Sequence, residues 1–169
     1  VWYNKLMKYI NLTQNKKTLV DDDDYNNYAT DYWFVYLSSS NKYYACRNNR
    51  AMNNGEVYME KLHRTIMGLG RGGKSQVDHI NGDSLDNRKC NLRIVNSQQN
   101  AFNRKSQSNN KTGYKGVYKH TQYDKYVAQI KVGSKRYSLG VFDTAKEAAK
   151  AYDLAAKIHH GEFAWKNLR

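Results

Sequence analysis

Cysteine is scarce in this chain. Its 169 residues include only Cys46 and Cys90, too few for a disulfide framework or a four-thiolate zinc site. A reducing compartment, the cytoplasm, is therefore the expected setting. Long apolar runs are missing too. The longest, Tyr32-Trp33-Phe34-Val35-Tyr36-Leu37, is strand-sized, far short of the roughly 18 residues that a membrane span needs. No apolar segment follows a charged N-terminus, so no signal peptide is expected. No heptad pattern or long apolar helix suggests an obligate dimer seam, and a monomer is expected. The glycine loop Gly70-Arg71-Gly72-Gly73 lacks the Lys-Ser/Thr spacing of a phosphate-binding P-loop and reads as a connection. Apolar residues make up 40% of the chain, which serves modest cores better than one large one.

Acidic residues are also scarce, but only beyond residue 60. Residues 1–60 carry seven basic and seven acidic side chains, a net of zero. Residues 61–110 carry nine against three, and residues 111–169 carry twelve against five. These two segments supply the whole net charge of +13. A basic excess so placed points to a polyanion partner, in the first instance nucleic acid.

Local patterns divide the chain into three sections. In the first, Asp21 to Asp24 read as the acidic start of a helix, where carboxylates meet the positive end of the dipole. Tyr32–Leu37, Lys42–Arg47 and Glu56–Met59 read as strands, and Lys61–Met67 as a short helix. In the second, Val77-Asp78-His79 is a short strand, and Asn81-Gly82 opens a polar loop. Leu92–Val95 returns as a strand, and Asn96 or Ser97 caps a helix through Phe102. This order gathers an acid, a histidine and a helix-borne Asn100 around a small space. Carboxylate and amide oxygens are hard ligands, suited to Mg²⁺ or Mn²⁺ kept partly hydrated. A neutral His79 beside such an ion can take a proton from water.

This stretch resembles the HNH (ββα-metal) nuclease motif, especially that of phage and intron-encoded homing endonucleases. The resemblance covers about residues 56–104 and rests on Asp78-His79, Asn81-Gly82, Asp86-Asn87, Asn91-Leu92-Arg93 and Asn100. It implies Asp78 and Asn100 as ligands of one Mg²⁺ or Mn²⁺ and His79 as the general base. Asn91 would orient the histidine and hold the loop. His63 matches a histidine that commonly precedes the motif, either structural or close to the scissile phosphate. The zinc-stabilised version of the motif uses paired CxxC ligands; here only Cys90 is near, and no structural zinc is expected.

The third section follows a polar connector over residues 105–112, read as flexible. Three short strands are expected at Tyr114–Tyr118, Lys125–Val132 and Lys135–Gly140, the last two joined by Gly133-Ser134. In the middle strand Ala128, Ile130 and Val132 share one face. Thr144-Ala145-Lys146-Glu147 is a capping box opening an Ala-rich helix that stops at Gly161, with His159 and His160 at its end. Tyr-Lys-Gly-Val, Leu-Gly-x-Phe, the Glu-Ala-Ala-x-Ala-Tyr run and the closing Asn-Leu make residues 113–168 similar to the plant ethylene-response-factor (Apetala-type) DNA-binding domain. In that family the sheet enters the major groove. Matching positions are Lys115, Tyr118, His120, Gln129, Lys131, Arg136 and Ser138. Lys115, Tyr118 and Ser138 replace Arg or Trp contacts, so a GC-rich target is not inherited.

The expected fold is thus α+β, in three parts. Residues 1–104 form a small β-rich region leading into the ββα-metal motif, residues 105–112 a flexible linker, and residues 113–169 a three-stranded antiparallel sheet packed on one helix. The expected function is site-specific, homing-type cleavage of double-stranded DNA, one strand per protomer. Arg64, Arg93, Arg104 and Lys105 are candidate phosphate contacts. The setting is the cytoplasm of a bacterial host if the gene is phage-borne. The rival readings are a non-catalytic DNA-binding regulator with a degenerate nuclease fold, and a structural or RNA-binding protein.

Overall fold

A computed structural model describes residues 7–50, 55–70, 72–107 and 109–168. Its contacts divide the chain into two units, 1–97 and 98–169. The fold is mixed α and β, built from small sheets, with a C-terminal three-stranded sheet on a helix.

The first unit begins with a hairpin that the sequence patterns did not announce. Strand β1 (Met7–Asn11) pairs antiparallel with β2 (Lys17–Asp21), Ile10 opposite Thr18 and Lys8 opposite Val20. Helix α1 (Asp22–Tyr28) follows directly, with three aspartates in its first turn. Strands β3 (Phe34–Leu37), β4 (Tyr43–Arg50) and β5 (Val57–Lys61) form a second sheet in the order β3-β4-β5. Helix α2 (Leu62–Ile66) continues from β5. Ile10, Leu12, Val20, Trp33, Val35, Ala45 and Leu62 bury one another between these elements. Burial of each such large aliphatic side chain is worth about 1.5–3 kcal/mol. Strands β6 (Gln76–His79) and β7 (Leu92–Val95) make a separate two-stranded sheet with Asp78 opposite Arg93 and His79 opposite Leu92.

The loop between β6 and β7 is held by the opening hairpin. Leu19 N donates to Leu85 O, and Asn87 N donates to Leu19 O, each at 2.8 Å, a short parallel bridge on the edge of β2. Lys89 N donates to Asp21 Oδ2 at 2.9 Å, and Lys89 Nζ pairs with Asp24 at 3.1 Å. The acidic run therefore does more than start α1. It anchors the polar loop, and Leu85 packs against the first core.

The second unit contains the end of α3 (Ser97–Phe102), then β8 (Val117–Lys119), β9 (Tyr126–Val132), β10 (Lys135–Phe142) and α4 (Ala145–His160). The sheet order is β10-β9-β8, all antiparallel. Small residues let α4 lie close: Ala148, Ala149, Tyr152, Ala155 and Ala156 are buried with Val117, Ala128 and Ile130. The capping box forms in both directions, Glu147 N to Thr144 Oγ1 at 3.2 Å and Thr144 N to Glu147 Oε2 at 3.1 Å. Gly116 has φ +73°, and a Cβ there would lie 2.3 Å from the Tyr152 ring and 2.5 Å from Gln129 O. Only glycine permits that close approach. Residues 104–113 carry hydrogen bonds of their own: Ser106 Oγ donates to Gly113 O, and Asn110 Nδ2 to Tyr114 O, both at 2.8 Å.

Candidate functional site

β6 ends on two buried polar residues, Asp78 at 7% exposure and His79 at 6%. Alternation alone does not explain two successive buried positions at a strand end, and each is met by a specific partner. Arg93, across the ladder, donates from Nε and a terminal nitrogen to Asp78 Oδ2 at 2.9 and 2.8 Å. His79 Nε2 lies 2.9 Å from Asn87 Oδ1.

The roles of the atoms in that contact follow from a chain of obligate donors. The Leu85 carbonyl can only accept, so the Thr18 hydroxyl at 2.8 Å donates to it. Thr18 Oγ1 therefore accepts from Asn87 Nδ2 at 2.7 Å. That fixes the Asn87 amide with Oδ1 toward the histidine. His79 must then carry its proton on Nε2, and Nδ1 is the nitrogen with the lone pair. Burial, partly offset by the Asn87 hydrogen bond and the Asp78 charge, holds the ring below the usual imidazole value. The ring is neutral at neutral pH.

His63, on α2, faces the same space. Its ring meets His79 edge-on with centroids 5.0 Å apart, and Tyr44 of β4 lies 5.4 Å from His63 and 6.3 Å from His79. Burial and the neighbouring His79 hold His63 well below its ordinary pKa. Its Nδ1 is buried with no hydrogen-bond partner. Asn91 braces the loop: its Oδ1 accepts from Asn81 N at 2.9 Å and its Nδ2 donates to Asp86 O at 2.8 Å. Asp86 in turn is gripped by Arg88 and Asn81. The histidine's amide partner is thus Asn87, and Asn91 acts on the backbone around it. Thr18, Tyr44 and Asn87 have no role in the sequence reading. Asn87 lies inside the quoted motif and could have been singled out; Thr18 and Tyr44 lie 61 and 35 positions before His79 and carry no local signal.

Asn100 sits on α3 in the second unit, half-buried. A carboxylate and an amide oxygen are hard donors that leave most of an octahedral shell to water, which fits Mg²⁺ or Mn²⁺. Among the described residues no three His, Cys, Asp or Glu side chains converge on a metal position.

The basic candidates fall into two groups. Arg93 is spent on Asp78, and Arg64 on the glycine loop, donating to Ser75 O, Gly70 O and Gly72 O. In the second unit, Lys131 stands opposite Arg136 and Gln129 opposite Ser138 on the sheet face away from α4, with Tyr118 on the same face of β8. Tyr118, Lys131, Arg136 and Ser138 are exposed. His120 Nδ1 accepts from Gln122 N and Tyr123 N in the next turn. Between this face and residues 104–107 and 109–112 runs a groove of about 700 Å³ lined by Arg104, Lys105, Lys111, Lys119, Lys131 and Arg136 among others. The Lys105 ammonium also lies over the Trp165 ring, 5.5 Å from its centroid. Lys115 differs from the rest. Its ammonium donates to Ala101 O at 3.1 Å and Phe102 O at 2.7 Å, and burial with the nearby Arg104 charge pushes it down to about 8.

Comparison with known proteins matches two segments of the chain. Residues 60–102 match the family model for HNH endonuclease, and residues 112–161 match that for the AP2 domain. An uncharacterized HNH endonuclease of Acanthamoeba polyphaga mimivirus is 36% identical over 111 residues, 63% of this chain and 57% of that protein. Dehydration-responsive element-binding protein 2D of Arabidopsis thaliana is 47% identical over 57 residues, 32% of this chain and 27% of that protein. The chain thus spans about half of one curated relative and a quarter of the other. No solved structure matches it. Residues 60–102 are thus similar to HNH endonucleases and residues 112–161 to AP2 domains. No described helix is long and apolar enough to cross a membrane.

Proposed function

We propose that the protein is a site-specific, homing-type DNA endonuclease that hydrolyses a phosphodiester with His79 as general base. The observation that carries this reading is the Thr18–Asn87–His79 chain, which sets a neutral imidazole with its lone pair on Nδ1 beside a buried carboxylate. A base of that kind accepts a proton from water as the water attacks phosphorus. The family match contains both Asp78 and Asn100, and these two residues would hold one Mg²⁺ or Mn²⁺, which when bound supplies positive charge for the leaving 3′ oxygen. Arg93 keeps the Asp78 carboxylate aligned along β6. His63 and Tyr44 pack against the His79 ring, and its burial supports a neutral base.

Recognition falls to the second unit. Tyr118, His120, Gln129, Lys131, Arg136 and Ser138 form the face we assign to the DNA groove, with Arg104 and Lys105 toward phosphates. A chain of net charge +13 gains much of its affinity from phosphate neutralisation, so binding falls steeply with salt. One base and one metal per chain make the monomer a nicking enzyme. The cytoplasm of the cell that carries the target DNA is the compartment this reading calls for.

The test is incubation with supercoiled plasmid carrying candidate target DNA, with Mg²⁺, with Mn²⁺ and with EDTA, followed by mapping of the ends. Metal-dependent conversion to nicked circles at a preferred site is the expected result. Binding without cleavage under every metal condition would favour the DNA-binding regulator instead.

A further inference from the structure

Helix α3 has six residues. Helices shorter than about 12 residues are marginal in water, so tertiary contacts must set its geometry. In the second unit those contacts converge on its last turn. Lys115 Nζ donates to the Ala101 and Phe102 carbonyls, and Trp165 N also donates to Phe102 O, at 3.1 Å. The Phe102 ring stacks on His160, with centroids 3.8 Å apart and planes 8° from parallel. Lys115 is itself fixed: Asn167 Oδ1 accepts from its N–H at 2.7 Å and Asn167 Nδ2 donates to its carbonyl at 3.0 Å. A cation placed on the final carbonyls of a helix meets both orphan acceptors and the negative end of its dipole.

We propose that Lys115 and Phe102 are positioning residues for Asn100, through which the AP2-type unit sets the orientation of a metal ligand of the nuclease segment. The inference rests on the reading of Asn100 as a ligand. It also removes Lys115 from the DNA-reading face: its ammonium is turned inward onto α3. The C-terminal unit then has two tasks, reading DNA with one face of its sheet and holding the turn that bears Asn100.

The experiment uses the full chain. Mn²⁺ affinity is measured by electron paramagnetic resonance, duplex affinity by fluorescence anisotropy, and plasmid nicking as a function of Mn²⁺. Lys115→Met keeps the aliphatic stem and removes the donors; Phe102→Leu removes the stack and carries no charge in any reading. Both variants are expected to weaken Mn²⁺ binding about tenfold, the effect typical of losing an outer-sphere support, and to regain nicking at high Mn²⁺. Duplex affinity should stay within about twofold, and Lys115→Arg, which keeps the donors, should restore Mn²⁺ affinity. Weaker duplex binding with unchanged Mn²⁺ affinity in Lys115→Met would overturn the proposal, as that is the signature of a phosphate contact. Unchanged Mn²⁺ affinity in Phe102→Leu would overturn it too, and that variant carries the test if Lys115→Met does not fold. Asn100→Ala separates the two layers. If it alone binds Mn²⁺ like the parent, the ligand assignment fails and takes the positioning role with it; if it loses Mn²⁺ while the two support variants do not, only the positioning role fails.

Discussion

Replacing Asn87 by aspartate puts a charge at the point where the proposed base is held. The side chain is fully buried, and its Oδ1 sits 2.9 Å from His79 Nε2. Aspartate has the same shape, so the acceptor for His79 survives. The lost Nδ2 donor is made good locally: Thr18 can turn its hydroxyl to the new carboxylate, because the Leu85 carbonyl keeps the Leu19 N–H at 2.8 Å. What changes is the partner's charge. An opposite charge within hydrogen-bond reach favours imidazolium over imidazole, and with the cost of burying the new carboxylate the differential is about 1–2 kcal/mol, the low end for such pairs. At 1.36 kcal/mol per pKa unit, the His79 pKa should rise by about one unit. The parent ring is held low by burial, so the parent rate should persist below the pH at which free imidazole protonates. In Asn87→Asp the acid limb of the single-turnover pH–rate profile should move up by about one unit, with the alkaline plateau within about threefold. An acid limb that stays in place in a folded variant would refute the reasoning, because the group titrating there would not be the one Asn87 touches.

Other outcomes follow from the same geometry. His63 and His79 are both held below the usual histidine range by burial, so the unfolded chain takes up protons first. Their stabilising effect is complete above about pH 6.5 and is lost as pH falls toward the folded values. Melting temperature should drop between pH 7 and pH 5, and less so in His63→Leu; a flat profile would contradict this. Gly116→Ala should cost more than about 3 kcal/mol and abolish duplex binding, since its methyl would meet the Tyr152 ring. Gly133→Ala, at φ +59° but in open space, should cost only about 1 kcal/mol by calorimetry. EDTA should stop cleavage without shifting the melting curve, because no thiolate set ties the fold to a metal; a coincident loss of structure would point to a structural ion.

Local chemistry made part of this fold legible in the sequence. Asp78-His79 at a strand end, the capping box at Thr144/Glu147 and the Gly133-Ser134 turn each act over a few residues, and each stands where its pattern put it. What the sequence did not show depends on partners far apart in the chain. β1 and β2 have weak alternation, and their value lies in Thr18, Leu19 and Asp21 receiving the loop of residues 85–89. The same distance effect hid the use of basic side chains. Arg64 and Arg93 read as phosphate contacts from charge, and Lys115 as a DNA-reading position from its family match, but each is satisfied by carbonyls or a carboxylate in its own unit. A positive charge marks affinity for an anion or dipole, and only packing decides which one it meets.

The role on which the proposed activity turns is that of His79 as the base of a metal-dependent nuclease. Its most direct measurement is single-turnover cleavage of a duplex by the parent and by His79→Ala at saturating protein, with duplex affinity measured alongside. The rate of His79→Ala should be lower by about 100- to 10,000-fold with affinity within about threefold. Cleavage by His79→Ala within about tenfold of the parent rate, at the same site and with the same metal dependence, would contradict it.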